Sequence, residues 1–187
     1  MEPGASVVSV GAEADGLRFG IIQEREDPDT GDMVRTNMGF TVDCDICDPD
    51  LRIVAGADNV RVEGNRFMTA NGMRGLVAGP GPIANLHVYE NDFQVGVEKV
   101  GLGVAGVNGL DVLRNNFFTF GQPSGGVAMS LLGVQGGIVQ ENRIGRNVPG
   151  TGGGPMGPPP DVHEGAGIGI RIAGFGPTGA DSDDVRI

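Results

Sequence analysis

NVRVEGNRF, NLHVYENDF, GLDVLRNNF and GGIVQENRI, beginning at Asn59, Asn85, Gly109 and Gly136, are four writings of one phrase. Its frame is apolar, any, apolar, any, any, Asn, any, large apolar. The anchors Asn65, Asn91, Asn115 and Asn142 stand 26, 24 and 27 residues apart. A period in the twenties marks a repeat array, and each repeat alternates apolar residues with period 2, without an amphipathic helical stretch. That pattern predicts a coil made only of strands.

A second short strand, edged by glycine, follows each anchor: 75–79, 101–105, 126–132 and 167–172. Val60 and Val62, Leu86 and Val88, and Leu110 and Val112 then point the same way on successive coils and stack into one core. The anchor asparagine is expected to turn the chain, because it tolerates the left-handed conformation and satisfies local backbone groups. Stacked at the ~4.8 Å strand spacing, identical asparagines also form a hydrogen-bonded ladder. Phe67, Phe93 and Phe117 re-enter the interior two residues later as an aromatic stack, with Ile144 in the same place on the fourth coil.

This pattern resembles the right-handed parallel β-helix, the pectate-lyase-like superfamily. The resemblance implies an all-β solenoid, and the sequence leads to an expectation of about six to seven coils in a single domain over 1–187. It does not select an activity, because one coil architecture carries lyases, hydrolases, epimerases, adhesins and viral spikes.

Glycine and proline make up a quarter of the 187 residues, 35 and 12 of them, and the repeat period is what argues against disorder. A net charge of −11 makes nucleic acid an unsuitable partner, since phosphate contacts need clustered lysine and arginine. With one tyrosine and no tryptophan, a broad platform of stacked rings for carbohydrate is not foreseen. No apolar run approaches the ~18–20 residues that span a bilayer, and Met1-Glu2-Pro3-Gly4 is not a signal peptide. The expectation is a protein without a membrane partner, extracellular or at the cell surface, whose signal is missing from this chain.

Along the chain, 7–10 and 17–22 read as strands of a first coil. Residues 24–50 hold nine of the 24 acidic residues and read as an acidic excursion around a short strand at 39–42. The 147–164 segment, with a glycine triplet and three consecutive prolines, reads as a side loop. The chain stops at Val185-Arg186-Ile187, in the register of Val60-Arg61-Val62. The expectation is therefore either a fragment of a longer β-helix or self-association through the coil ends.

Three strings invite chemistry. Asp161-Val162-His163-Glu164 resembles the Asp-Pro-His-Glu motif of alginate epimerases, which implies Asp161 and His163 as catalytic positions and Glu164 as the motif's last acid. Val162 replaces the proline, and Pro158 stands where a tyrosine is expected; a polar turn is the simpler reading. Asp27, Asp29 and Asp32 alternate like a calcium loop, so calcium is a candidate cofactor, although Met38 stands where an EF-hand needs glutamate and a solvated loop is the simpler reading. Cys44 and Cys47 read as a short disulfide across a turn or as two thiols, since surrounding aspartates disfavour a reactive thiolate.

Two functions follow. The preferred one is a structural or carbohydrate-associated binding β-helix, adhesin-like, spike-like or self-assembling. The alternative is a polysaccharide-active enzyme, a uronate epimerase or lyase using Asp161 and His163.

Overall fold

The computed structural model describes residues 8–43, 48–69, 74–95, 99–119, 126–146, 168–173 and 183–186. Three parallel sheets carry the architecture. The first contains β1 (Val8–Val10), β6 (Leu51–Ile53), β9 (Arg74–Ala78), β12 (Val100–Ala105), β15 (Val127–Leu132) and β18 (Ile168–Ala173). The second contains β2 (Arg18–Phe19), β7 (Arg61–Glu63), β10 (Ile83–Tyr89), β13 (Val107–Leu113), β16 (Gln135–Gln140) and β19 (Asp183–Arg186). The third contains β5 (Thr41–Asp43), β8 (Arg66–Thr69), β11 (Asp92–Val95), β14 (Asn116–Thr119) and β17 (Arg143–Arg146). The chain visits them in turn, one strand from each per coil. Each phrase supplies the end of a second-sheet strand, the corner at its asparagine, and the start of a third-sheet strand.

Register explains the repeat. Val62, Val88 and Val112 align on adjacent strands, as do Leu86 with Leu110 and Phe67 with Phe93 and Phe117. All are fully buried. The three phenylalanine rings stack with centroids 4.9 and 4.7 Å apart, and their planes are within 12° and 4° of parallel. Leu51, Leu76, Leu102 and Met129 form a second buried column from the first sheet. Burying each such side chain contributes about 1.5–3 kcal/mol, so an unbroken column stabilises every coil through its neighbours.

The expected six to seven equivalent coils are not found: the regular solenoid is about three turns, β6–β8, β9–β11 and β12–β14. Among the described residues, these turns are the ones that combine three strands with a buried anchor asparagine and a buried phenylalanine. Before them the coil is interrupted by an antiparallel hairpin, β3 (Ile22–Glu26) and β4 (Met33–Asn37). After them the aromatic column ends, because Ile144 pairs with Phe117 but is 39% exposed. The last described strands, β18 and β19, belong to the first and second sheets alone.

Residues 17–22 do not make one strand. β2 ends at Phe19, and Gly20, at φ 88°, turns the chain outward into the hairpin; a Cβ there would lie 1.9 Å from the Glu63 carbonyl oxygen. The chain rejoins the coil where Met38 N–H donates to the Ile21 carbonyl (2.8 Å) and Phe40 packs 5.0 Å from Phe19.

The anchor asparagines are not the left-handed residues. That conformation falls one position earlier, on Gly64, Glu90, Arg114 and Glu141, and on the first residue of each phrase, Asn59, Asn85, Gly109 and Gly136. Asparagine or glycine at the phrase start is what such a backbone favours. The anchors serve by hydrogen bonding alone.

Candidate functional site

The anchors form a continuous ladder, buried at Asn65, Asn91 and Asn115 and half-buried at Asn142. Asn65 Nδ2 donates to Asn91 Oδ1 (3.1 Å), Asn91 Nδ2 to Asn115 Oδ1 (3.0 Å), and Asn115 Nδ2 to Asn142 Oδ1 (3.0 Å). Each of these oxygens also accepts the backbone N–H of the asparagine one coil below, at 2.9 Å. Each amide further donates to a carbonyl across the corner: Asn91 to Val62 (2.9 Å), Asn115 to Val88 (2.8 Å) and Asn142 to Val112 (2.8 Å). At its lower end the ladder meets the hairpin insertion, where Phe40 N–H donates to Asn65 Oδ1 (3.0 Å) and Asn65 Nδ2 donates to the Phe19 carbonyl (2.8 Å). These bonds tie the same corner of successive coils together.

The ladder fixes the edge of a cleft. Because strand residues alternate faces, the buried valines and leucines of the second sheet force Arg61 and Glu63, His87 and Tyr89, and Asp111 and Leu113 onto the outer face. Register sets His87 beside Arg61 and Asp111, and Tyr89 beside Glu63 and Leu113. The β3–β4 hairpin, leaving at the corner, walls this face. Arg35 on β4 bonds Glu24 on β3 (2.6 Å) and ion-pairs with Glu90 at the end of β10, whose carbonyl accepts from Asn37 Nδ2 (3.2 Å). A cleft of about 420 Å³ results, lined by Arg18, Arg35, Arg61, Arg114, Glu24, Glu63, Glu90, Tyr89, Ile22 and Leu113. That lies within the range of small-ligand sites, roughly 300–1,000 Å³.

Its charges are mostly paired. Glu63, almost wholly buried, ion-pairs with Arg18; Glu90 lies between Arg35 and Arg114 (3.5 Å), and Arg114 also binds Glu141 (2.8 Å). Glu141 holds the Arg114 guanidinium more firmly protonated than usual. Arg61 differs: among the described residues it is the cleft arginine without a carboxylate partner, and its guanidinium lies 5.3 Å above the centre of the Tyr89 ring. Arginine on an aromatic face is held in place while its donors stay available.

Beside it three polar groups meet. His87 Nδ1 is 3.0 Å from Asp111 Oδ2 and 3.0 Å from the Tyr89 hydroxyl, which donates to the same carboxylate oxygen at 3.2 Å. Burial, and then the adjacent Asp111 charge, push the Tyr89 phenol above its ordinary pKa, against the opposing pull of Arg61. Tyr89 is therefore a proton donor at neutral pH.

Of the chemical strings singled out in the sequence, the one among the described residues does not line this cleft. Asp27, Asp29 and Asp32 occupy the hairpin turn, where Asp27 Oδ1 accepts from Asp29 N–H (2.8 Å) and Asp27 N–H donates to the Asp32 carbonyl (2.8 Å). Among the described residues no group of three or more acidic, histidine or cysteine side chains is gathered to hold a metal. Cys44, Cys47, Asp161, His163, Glu164 and the 147–164 loop lie outside the described residues. No described helix is long and apolar enough to cross a membrane.

The residues that the repeated phrase contributes to this outer face occupy the positions left arbitrary in it. Written one above another, the second and fourth positions after the first residue give Arg61, His87, Asp111 and Glu63, Tyr89, Leu113, which is the outer face in order. That alignment was the available signal.

Three parallel sheets wound as one coil, with an asparagine ladder at one corner and a polar cleft on one face, define a parallel β-helix. Comparison with protein-family models, curated proteins and solved structures found no match to this chain. Its function is read from its own residues.

Proposed function

We propose that this protein is a carbohydrate-associated binding β-helix, an extracellular or cell-surface module whose second-sheet cleft accepts an acidic saccharide. The observation that supports it is Arg61, a guanidinium stacked on Tyr89 with donors uncommitted to any described carboxylate. The other cleft arginines are neutralised by Glu24, Glu63, Glu90 and Glu141, which leaves Arg61 as the guanidinium open to one acidic group of a saccharide on a chain of net charge −11. Planar polar groups beside one aromatic face suit a sugar ring, whose hydroxyls need donors and whose carboxylate needs a fork of N–H groups.

Calorimetric titration with oligouronides and with neutral oligosaccharides of equal length tests this. The acidic series should bind, more weakly as salt rises, and Arg61→Ala should weaken binding about 10- to 100-fold through loss of a charge-assisted contact. Equal affinity for both series, or an unaltered Arg61→Ala variant, refutes the reading.

A further inference from the structure

The β3–β4 hairpin is held to the rod by something other than the core. None of the residues 21–38 is buried, and between Val10 and Val42 the core receives only the partly buried Ala14 and Phe19. The hairpin is instead complete in itself. Its cross-strand pairs run from Ile22–Asn37 to Glu26–Met33, Met38 N–H closes the base on the Ile21 carbonyl (2.8 Å), and Gly31 N–H closes the tip on the Asp27 carbonyl (2.8 Å). Both legs leave the corner at a glycine: a Cβ on Gly20 would collide with the Glu63 carbonyl, and one on Gly39 with the Gly64 carbonyl. The two attachments therefore sit against consecutive residues of one corner, which gives the hairpin a single line about which to turn.

The base rests in a notch. On the left-handed column of that corner Glu90, Arg114 and Glu141 carry side chains and Gly64 does not. A Cβ on Gly64 would lie 3.0 Å from the Ile21 carbonyl oxygen, 3.4 Å from Ile22 Cγ1 and 3.5 Å from Asn37 Cβ. The hairpin base thus fills the space where the later coils keep a charged side chain. One coil above, Glu90 fastens it: the carboxylate pairs with Arg35, and the carbonyl accepts from Asn37 Nδ2 (3.2 Å). Arg114 draws the same carboxylate from 3.5 Å away. Seat and latch are surface contacts, open to screening by salt and to competition, whereas the buried columns of the coil are not.

Ile22, Glu24 and Arg35 of the hairpin face the same cleft as Arg61, Tyr89 and Leu113 of the sheet. We infer that the hairpin is a latched flap: it turns about Gly20 and Gly39, seats on Gly64 and is held shut by Glu90, and a ligand reaches Arg61 and Tyr89 when the Arg35–Glu90 pair lets go. The identity of that ligand rests on the acidic-saccharide reading of the cleft; the motion does not. An acidic group arriving at the cleft competes with Glu90 for the Arg35 guanidinium, so the ligand favours the open state in which that guanidinium is free. Entry is then governed by a contact on the rim, one residue along the strand from the ring that the ligand meets.

With one tyrosine and no tryptophan in the chain, tyrosine emission reports on this cleft alone. Its quenching by acrylamide, a neutral probe, is measured on the full chain in about 0.01 M and about 1 M sodium chloride, between which the screening length falls from ~30 Å to ~3 Å. N-acetyltyrosinamide corrects for salt effects on the ring, and circular dichroism verifies that the coil is intact. Glu90→Gln keeps the shape of the latch and removes its charge. Gly64→Ala puts a methyl group under the seat, on a column that already accepts glutamate and arginine. High salt and each variant should raise the quenching constant at least about twofold. In stopped flow, the rate of oligouronide binding to the unaltered chain should level off with concentration at the rate of opening, and Glu90→Gln should lift that ceiling. Quenching that neither salt nor either variant changes overturns the flap, and so does a binding rate that climbs linearly without a ceiling. Raised quenching with no oligouronide binding removes the acidic-saccharide reading and leaves the flap standing.

Discussion

Replacing Asn91 with alanine tests the ladder where it is most enclosed. The side chain is fully buried and makes four hydrogen bonds: two donated, to Val62 O and Asn115 Oδ1, and two accepted, from Asn65 N–H and Asn65 Nδ2. Some partners keep a bond. Asn65 Nδ2 still donates to the Phe19 and Glu63 carbonyls, and Asn115 Oδ1 still accepts the backbone N–H of residue 91. The Asn65 N–H is left facing a methyl group, and the Val62 carbonyl loses its side-chain donor. An orphaned buried N–H costs about 1–3 kcal/mol and an ordinary lost bond about 0.5–1.5 kcal/mol, so about 2–4 kcal/mol is expected. For a chain of this size that lowers Tm by about 5–15 °C. Asn142→Ala, at the half-buried upper end where water can reach the freed groups, should cost roughly half as much. Thermal unfolding followed by circular dichroism, with exposed Gln23→Ala as reference, provides the comparison. An Asn91→Ala loss no larger than that of Gln23→Ala, or one smaller than that of Asn142→Ala, shows that the ladder does not stabilise the corner.

Tyr89 is the single tyrosine, so phenolate absorbance reports on it alone. Its folded pKa lies above the 10.0 of the unfolded chain, so Tyr89 contributes stability that is fully present below 10.0 and is lost as pH rises through the folded value. The spectroscopic midpoint should exceed 10.0 and fall in Asp111→Asn; a midpoint at or below 10.0 contradicts the half-buried, carboxylate-bonded phenol. Arg35→Ala removes the partly exposed ion pairs that tie the hairpin to Glu90. Global stability should change by no more than about 1 kcal/mol, while amide exchange of Ile22–Glu26 accelerates; unchanged exchange would mean that the wall is held by other contacts.

The inward half of this protein was legible and the outward half was not. Val62, Val88, Val112 and the three phenylalanines announce themselves because a buried position in a stacked coil accepts only a narrow range of shapes, so the repeat recurs there. Arg61, His87 and Asp111 stand on the same strands, but solvent imposes no common residue on them, and their kinship is visible only once register is known. The hairpin was hidden for a related reason: Ile22–Glu26 and Met33–Asn37 carry too few apolar residues to signal strands, and they pair with each other rather than with the coil. The left-handed conformation was assigned to the wrong residue because asparagine is its usual tenant, whereas here glutamate and arginine occupy it. The expected coil count is too high because the strand-like segments before Leu51 and after Thr119 read as regular turns, although the buried aromatic column runs only from Phe67 to Phe117.

Glu90, Arg114 and Glu141 hold left-handed backbones at φ 51°, 58° and 56°, at a corner where the preceding coil uses Gly64 at φ 67°. Each side chain there carries a backbone penalty of about 1–2 kcal/mol that glycine escapes. These are also the residues whose charges run from the hairpin up the rim of the cleft, from Arg35 through Glu90 and Arg114 to Glu141. A sequence shaped for rod stability alone would place glycine in all of them. Keeping long charged side chains at a left-handed column of the coil gives up backbone stability for a charged rim, and it falls on the edge where the hairpin meets the rod.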